Sequence, residues 1–129
     1  MEKIKTQSYK DLIVYQKAYK LTLDVYKISK KFPPDELYGM ISQMRRSAVS
    51  IPCNIAEGYR RGHRKEYVQF LYVAMGSCAE LETQLSIAKD LRWIDEQEFQ
   101  KLYAIQDEVS RLLRKVIYTM HKPVERSQP

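Results

Sequence analysis

Histidine is nearly missing from this 129-residue chain, which holds only His63 and His121. Neither has a glutamate three residues before it, so the inward Glu-x-x-His pairs of a di-iron helical bundle cannot be assembled. Cysteine is as scarce. Cys53 and Cys78 lack the close spacing of a zinc site or a redox pair, and both fall on expected apolar seams, where they read as reduced core thiols. The four glycines form neither a phosphate loop nor a dinucleotide fingerprint. No apolar run approaches the roughly 20 residues of a membrane span. Met1 is followed by charged residues instead of a signal core, so a cytoplasmic chain is expected. The two histidines fall in a turn and near a helix end, which leaves no Cys/His or Ser/His nucleophile arrangement. The carboxylates Glu80 and Glu82 read as salt-bridge partners. An enzyme is not expected, nor is any cofactor or metal.

What the chain does have is helical periodicity. Its length suits one domain, with an ordered core over about 9–121 and a flexible polar tail over 122–129. Helix one is expected from about Asp11 to Lys31, stopped by Phe32, Pro33 and Pro34. Helix two should open near Asp35 and Glu36, whose charges suit a helix start, and end near Arg61 with Gly62 as its cap. Its seam is Leu37, Ile41, Met44, Ala48, Ile51, Ile55 and Gly58. Helix three, from about Arg64 to Arg92, repeats Tyr67, Leu71, Ala74, Cys78, Leu81, Leu85 and Ala88. Asp95 and Glu98 form a capping-box pair, with Ile94 and Phe99 as a hydrophobic staple, so helix four begins there. Its seam is Phe99, Leu102, Gln106, Val109, Leu113, Val116 and Met120. Short connections make successive helices antiparallel neighbours, giving an all-α, up-down-up-down four-helix bundle.

Helix two carries residues that a helix ordinarily rejects. Pro52 lies inside the seam, where an interior proline costs roughly 3 kcal/mol, and a kink is expected near it. Ser47, Ser50 and Asn54 are expected to satisfy the backbone that it disrupts. Glu57 sits one position past the seam's centre, where burial would demand an arginine partner or freed N–H groups. Ser50, Pro52, Asn54, Glu57 and Gly58 read more readily as a structural motif than as a binding one.

The net charge of +6 is not spread evenly. In an up-down-up-down bundle the start of helix one, the turn between helices two and three, and the end of helix four share one pole. That pole gathers Lys3, Lys5, Lys10, Arg60, Arg61, Arg64, Lys65, Arg114, Lys115, Lys122 and Arg126 against Glu2, Asp11, Glu57, Glu66 and Glu125. The opposite pole holds Asp35, Glu36, Asp90, Asp95, Glu96 and Glu98. A concentrated basic end is the footprint of a polyanion binder, and Arg60, Arg61, Arg64 and Lys65 are the candidate contacts. Tyr59 and Tyr67 flank the turn and could stack on unpaired bases. The plainer account is that cations near helix C-termini stabilise the helix dipole, but Arg64 and Lys65 begin a helix and oppose it.

Helix one spreads its apolar and aromatic residues over an arc of about 200°, twice the minimum core-facing stripe. Lysines fill the remainder, so Tyr15, Tyr19 and Tyr26 are expected to be covered by another subunit. Lysine stems folded over an aromatic shoulder are the alternative.

Gln43, Arg45 and Arg46, then Ser50, Ile51 and Pro52, then Asn54 to Tyr59 (NIAEGY) resemble the family of 23S rRNA intervening-sequence proteins, the S23-type four-helix bundles. The likeness continues through Phe32, Pro33 and Glu36 and from Phe70 to Leu85, covering about 9–120; the chain departs from the pattern at Cys53, Gly62, His63 and Cys78. The resemblance implies a bacterial protein, closed homopentamers and a genomic association with rRNA intervening sequences. It also implies kinship with bundle proteins that serve reverse transcriptases as accessory factors. The expected function is therefore a non-enzymatic, ring-forming bundle that binds RNA or DNA backbone through its basic end. The alternative is a protein-binding adaptor or oligomeric scaffold whose charge serves solubility.

Overall fold

Four stripes of apolar side chains meet in one core, built from Val14, Ala18, Leu21 and Val25, then Met44, Ala48, Ile51 and Ile55, then Leu71 to Ala88, then Leu102 to Ile117. The computed structural model describes residues 8–121. It contains α1 (Ile13–Ser29), α2 (Ser42–Arg61), α3 (Arg64–Asp90) and α4 (Glu96–His121). A single 3-10 turn, Tyr9–Asp11, precedes α1. The principal contacts run between successive helices and between α1 and α4, so the four form the corners of an antiparallel up-down-up-down bundle. The expected tail over 122–129 lies outside the described residues.

Local chemistry explains most of the boundaries. The Asp95 N–H donates to Glu98 Oε1 at 2.9 Å and the Glu98 N–H donates to Asp95 Oδ1 at 2.8 Å, the reciprocal box expected at the start of α4. Ile94 and Phe99 are both buried beside it. Gly62 closes α2 in the left-handed region at φ 78°, where a side chain would be strained. The turn after α3 uses the same device with an arginine: Arg92 has φ 66°, and the Trp93 N–H reaches Ala88 O at 2.9 Å in the Schellman pattern. Along α4 the seam drifts, so Ile117 is buried instead of Val116. A 3.6-residue turn falls behind a strict heptad in this way. On α3 Val68 is buried, while Tyr67 is half-buried.

The entry to α2 departs from expectation. After an extended Pro33, Pro34–Glu36 form a 3-10 turn and Leu37–Ile41 a π turn, with Gly39 at φ −111°, ψ −113°. The wider turn rotates the seam, leaving Leu37 about half exposed at 47%. Glu36 Oε1 accepts from the Met40 N–H at 3.0 Å and caps the break. The break in the helical backbone lies at Gly39, while α2 runs from Ser42 through Pro52 to Arg61 as one helix.

How α2 tolerates Pro52 is a cross-helix matter. Proline has no N–H, so the carbonyl of Ala48, four residues earlier, loses its helical donor. Thr22 of α1 supplies one: its Oγ1 lies 3.0 Å from Ala48 O and 3.0 Å from Ala18 O of its own helix. The serines and Asn54 do something else. Asn54 Nδ2 donates to Ser50 O at 2.7 Å and to Ser50 Oγ at 3.0 Å, Ser77 Oγ donates to Ser50 Oγ at 2.7 Å, and Ser47 Oγ donates to Glu80 at 3.3 Å. Together they lace α2 to α3. Gly58 permits that approach, since a Cβ there would stand 2.7 Å from Phe70 Cβ.

Candidate nucleic-acid interface

The α2–α3 turn, the first turns of α3 and the last turn of α4 converge. Tyr72 of α3 and His121 of α4 meet edge to face at 6.3 Å, and with Arg64, Lys65 and Met120 they line one shallow hollow. The Tyr9–Asp11 turn packs against α2, placing the start of α1 at the same pole. Five basic residues of the described chain gather there, Lys10, Arg60, Arg61, Arg64 and Lys65, against Asp11, Glu57 and Glu66, while Arg114 and Lys115 lie about two turns back from the end of α4. Lys3, Lys5, Lys122, Arg126, Glu2 and Glu125 lie outside the described residues.

The four candidate contacts are not equivalent. Arg61 is tied down within the chain, 3.0 Å from Glu57, 3.9 Å from Glu66 and 5.2 Å over the Phe70 ring. Arg60, Arg64 and Lys65 are exposed and have no ion-pair partner among the described residues. Arg64 and Lys65 stand at the start of α3, whose N-cap, His63, gives no side-chain hydrogen bond. Two cations at the positive end of a helix repel its dipole, and a bound anion relieves both. Tyr59 and Tyr67 flank the turn but contact each other edge to face at 6.0 Å. Burial, and then Tyr59, raise the Tyr67 pKa above the usual phenol value. Tyr72, 53% exposed, is the freer aromatic surface. Sequence reasoning missed it, although Tyr72 follows Arg64 by two turns on one face of α3; only its contact with His121 depends on α4 returning beside it.

A second surface runs between α1 and α2. Tyr15 packs on Tyr9 at 5.0 Å and on Tyr19 at 6.0 Å, and burial, followed by the Tyr9 and Tyr19 hydroxyls, raises its pKa. Tyr19 is 52% exposed and Tyr26 39%, the latter lying 4.6 Å beneath the Arg45 guanidinium. Arg45 also donates to Ser29 Oγ at 2.8 Å and Tyr26 O at 3.3 Å. Two expectations fail on this side of α2. Cys53 is exposed instead of lying in the core, and it lines this groove, because it falls off the stripe that Ile51 and Ile55 bury. Glu57 is likewise exposed and paired with Arg61, so no buried carboxylate arises. Cys78 is buried as expected, and desolvation, aided by Glu82, pushes its thiol up to about 12.

These elements define an antiparallel four-helix bundle with one cation-rich pole and an uncovered tyrosine face. The match to the 23S rRNA-intervening sequence protein model runs over residues 10–115, and the chain belongs to that family. A solved structure of a protein with unknown function from the S23 ribosomal protein family, from Bacteroides thetaiotaomicron VPI-5482, shares 21% identity at a TM-score of 0.77, over 82% of this chain and 96% of that one. At that identity the likeness is one of fold. No curated protein matches the chain. Among the described residues no helix is long and apolar enough to cross a membrane, and no group of His, Cys, Asp or Glu could hold a metal ion.

Proposed function

We propose that this protein is a non-enzymatic, self-associating bundle that binds the sugar-phosphate backbone of RNA or DNA through its basic pole. The observation that carries this reading is that Arg60, Arg64 and Lys65, exposed and without an ion-pair partner among the described residues, stand together beside the Tyr72–His121 hollow. Each phosphate neutralised would release condensed counterions. Phosphate contacts carry no sequence information directly, so affinity without strong sequence preference is expected. Self-association through Tyr15, Tyr19 and Tyr26 would repeat the pole and let weak contacts act together.

The test is titration of labelled RNA and duplex DNA at several salt concentrations, with subunit number followed by light scattering. Affinity should fall steeply with salt. The triple change Arg60→Glu, Arg64→Glu and Lys65→Glu should abolish binding while leaving assembly intact; milder charge removal at all three should flatten the salt slope by about 3 on duplex DNA. Absent or salt-insensitive binding by the assembled protein would sink the reading. It would leave the adaptor or scaffold alternative, which the exposed tyrosine face favours.

A further inference from the structure

The hydrogen bonds that lace α2 to α3 stop partway along the two helices. Facing residues advance by one turn at a time: Ser50 meets Ser77 at 2.7 Å, and Ser47 meets Glu80 at 3.3 Å. One turn further on, Gln43 and Gln84 hold the next pair of positions, and Gln84 Oε1 is buried with no hydrogen-bond partner among the described residues. Beyond them the pair is apolar, Met40 of the π turn and Ile87 of α3. Where the lacing stops, a hollow of about 680 Å³ opens with all four pairs on its wall, a volume typical of small-molecule sites.

Two opposite charges share this space without meeting. Arg46 lines the hollow beside Ser47 and donates only to Ser42 Oγ, at the long distance of 3.4 Å. Glu80 accepts only from Ser47 Oγ. Neither has an ion-pair partner among the described residues, although the Ser47 contact holds them at one level of the bundle.

We infer that this hollow binds a free α-amino acid with an apolar side chain. The α-carboxylate lies against the planar fork of the Arg46 guanidinium, and the α-ammonium donates to Glu80. Gln84, turning its amide into the hollow, exchanges an unpartnered oxygen for one that accepts from the ammonium. The side chain extends toward Met40 and Ile87 and takes their apolar surface out of water. Other ligands fit less well. Among the described residues no aromatic ring lines the hollow, so a nucleobase finds no platform for stacking. One cation faced by one anion gives phosphate no net attraction, and an uncharged apolar molecule leaves both charges and both amides unused. Exposed ion pairs are individually weak, so the ligand must engage the two charges, the amides and the apolar end together. Glu80 follows Arg64 by about 24 Å along α3, which sets this site apart from the basic pole.

Isothermal titration calorimetry of the full chain with L-leucine and with L-methionine tests the assignment. Saturable binding with a Kd below about 1 mM is expected. Leucinol, which lacks the carboxylate, and N-acetyl-leucine, which lacks the ammonium, should each bind about tenfold more weakly or worse. Arg46→Gln and Glu80→Gln should each weaken leucine binding by a similar factor, with helix content by circular dichroism unchanged. Both side chains are exposed, and the second change retains an oxygen to which Ser47 can donate. Three results overturn the assignment: no saturable binding of either amino acid up to about 10 mM, leucinol and N-acetyl-leucine binding as tightly as leucine, or uridine or inorganic phosphate binding more tightly than leucine.

Discussion

Replacing Thr22 by valine keeps the side chain's shape and removes its hydroxyl, the donor that reaches the carbonyl left bare by Pro52. Ala48 is fully buried, so without Thr22 its oxygen would sit in the core with no partner, at a cost of about 2 kcal/mol. For a chain of this length that loss lowers Tm by about 8 °C. A second background gives a sharper test. Pro52→Ala restores an N–H four residues after Ala48 and should itself raise stability, by at most ~3 kcal/mol less whatever packing the ring provides. In that background the carbonyl has a helical donor again, so Thr22→Val should cost only about 0.5 kcal/mol. The coupling energy from the four-member cycle is then about 1.5 kcal/mol. Chemical denaturation of all four proteins at one concentration measures it, since both residues line the tyrosine groove and assembly shifts apparent stability. If Thr22→Val costs the same in both backgrounds, the hydroxyl is not serving the carbonyl that proline exposes.

Three further outcomes follow from contacts already described. Gly58→Ala should destabilise by about 2 kcal/mol, because the added methyl meets Phe70 Cβ and forces α2 from α3; an unchanged denaturation midpoint would show that the helices part without cost. Arg92→Gly should raise Tm by about 3 °C, since φ 66° suits glycine and strains arginine, and a lower Tm would contradict the strain. The Glu98 pKa is held below the usual carboxylate value by the Lys31 ammonium, then by the Asp95 N–H. A carboxylate depressed in the folded state adds stability above its unfolded pKa of about 4.3 and loses it as pH falls through the folded value. The stability gap between wild type and Glu98→Gln should therefore shrink on acidification below that point. A gap that stays constant into strong acid would refute the pairing.

Signals confined to one turn of chain were the legible ones. Asp95 and Glu98 announce a helix start because their bonds close within three residues, and Gly62 announces a stop because its conformation is its own. Four helices in antiparallel order, and hence the meeting of Arg60, Arg64 and Lys65 with α4, follow from helix lengths and short connections. What escaped notice depends on partners far along the chain or on a change of helical pitch. Thr22 reads as an ordinary residue of α1 until α2 lies beside it, so from sequence the relief of Pro52 falls to Ser47, Ser50 and Asn54 instead. The π turn at Gly39 turns Leu37 outward, and no periodicity assuming a uniform pitch could foresee that. Cys53 and Glu57 were placed near the core because a seam in sequence has no sharp edges, whereas α3 covers α2 on one side only. Tyr72 was within reach of the sequence, two turns after Arg64 on one face of α3, whereas its companion His121, some fifty residues on, is brought there by the fold.

Lys10 near the start of α1 and His121 at the close of α4 stand at the same pole as the α2–α3 turn. A fluorescent tag or fused enzyme joined at either side of the bundle would therefore crowd the ground that Arg60 and Arg64 occupy, and would mimic a weakened mutant. The link between α3 and α4, around Trp93, is the distant place to attach a reporter.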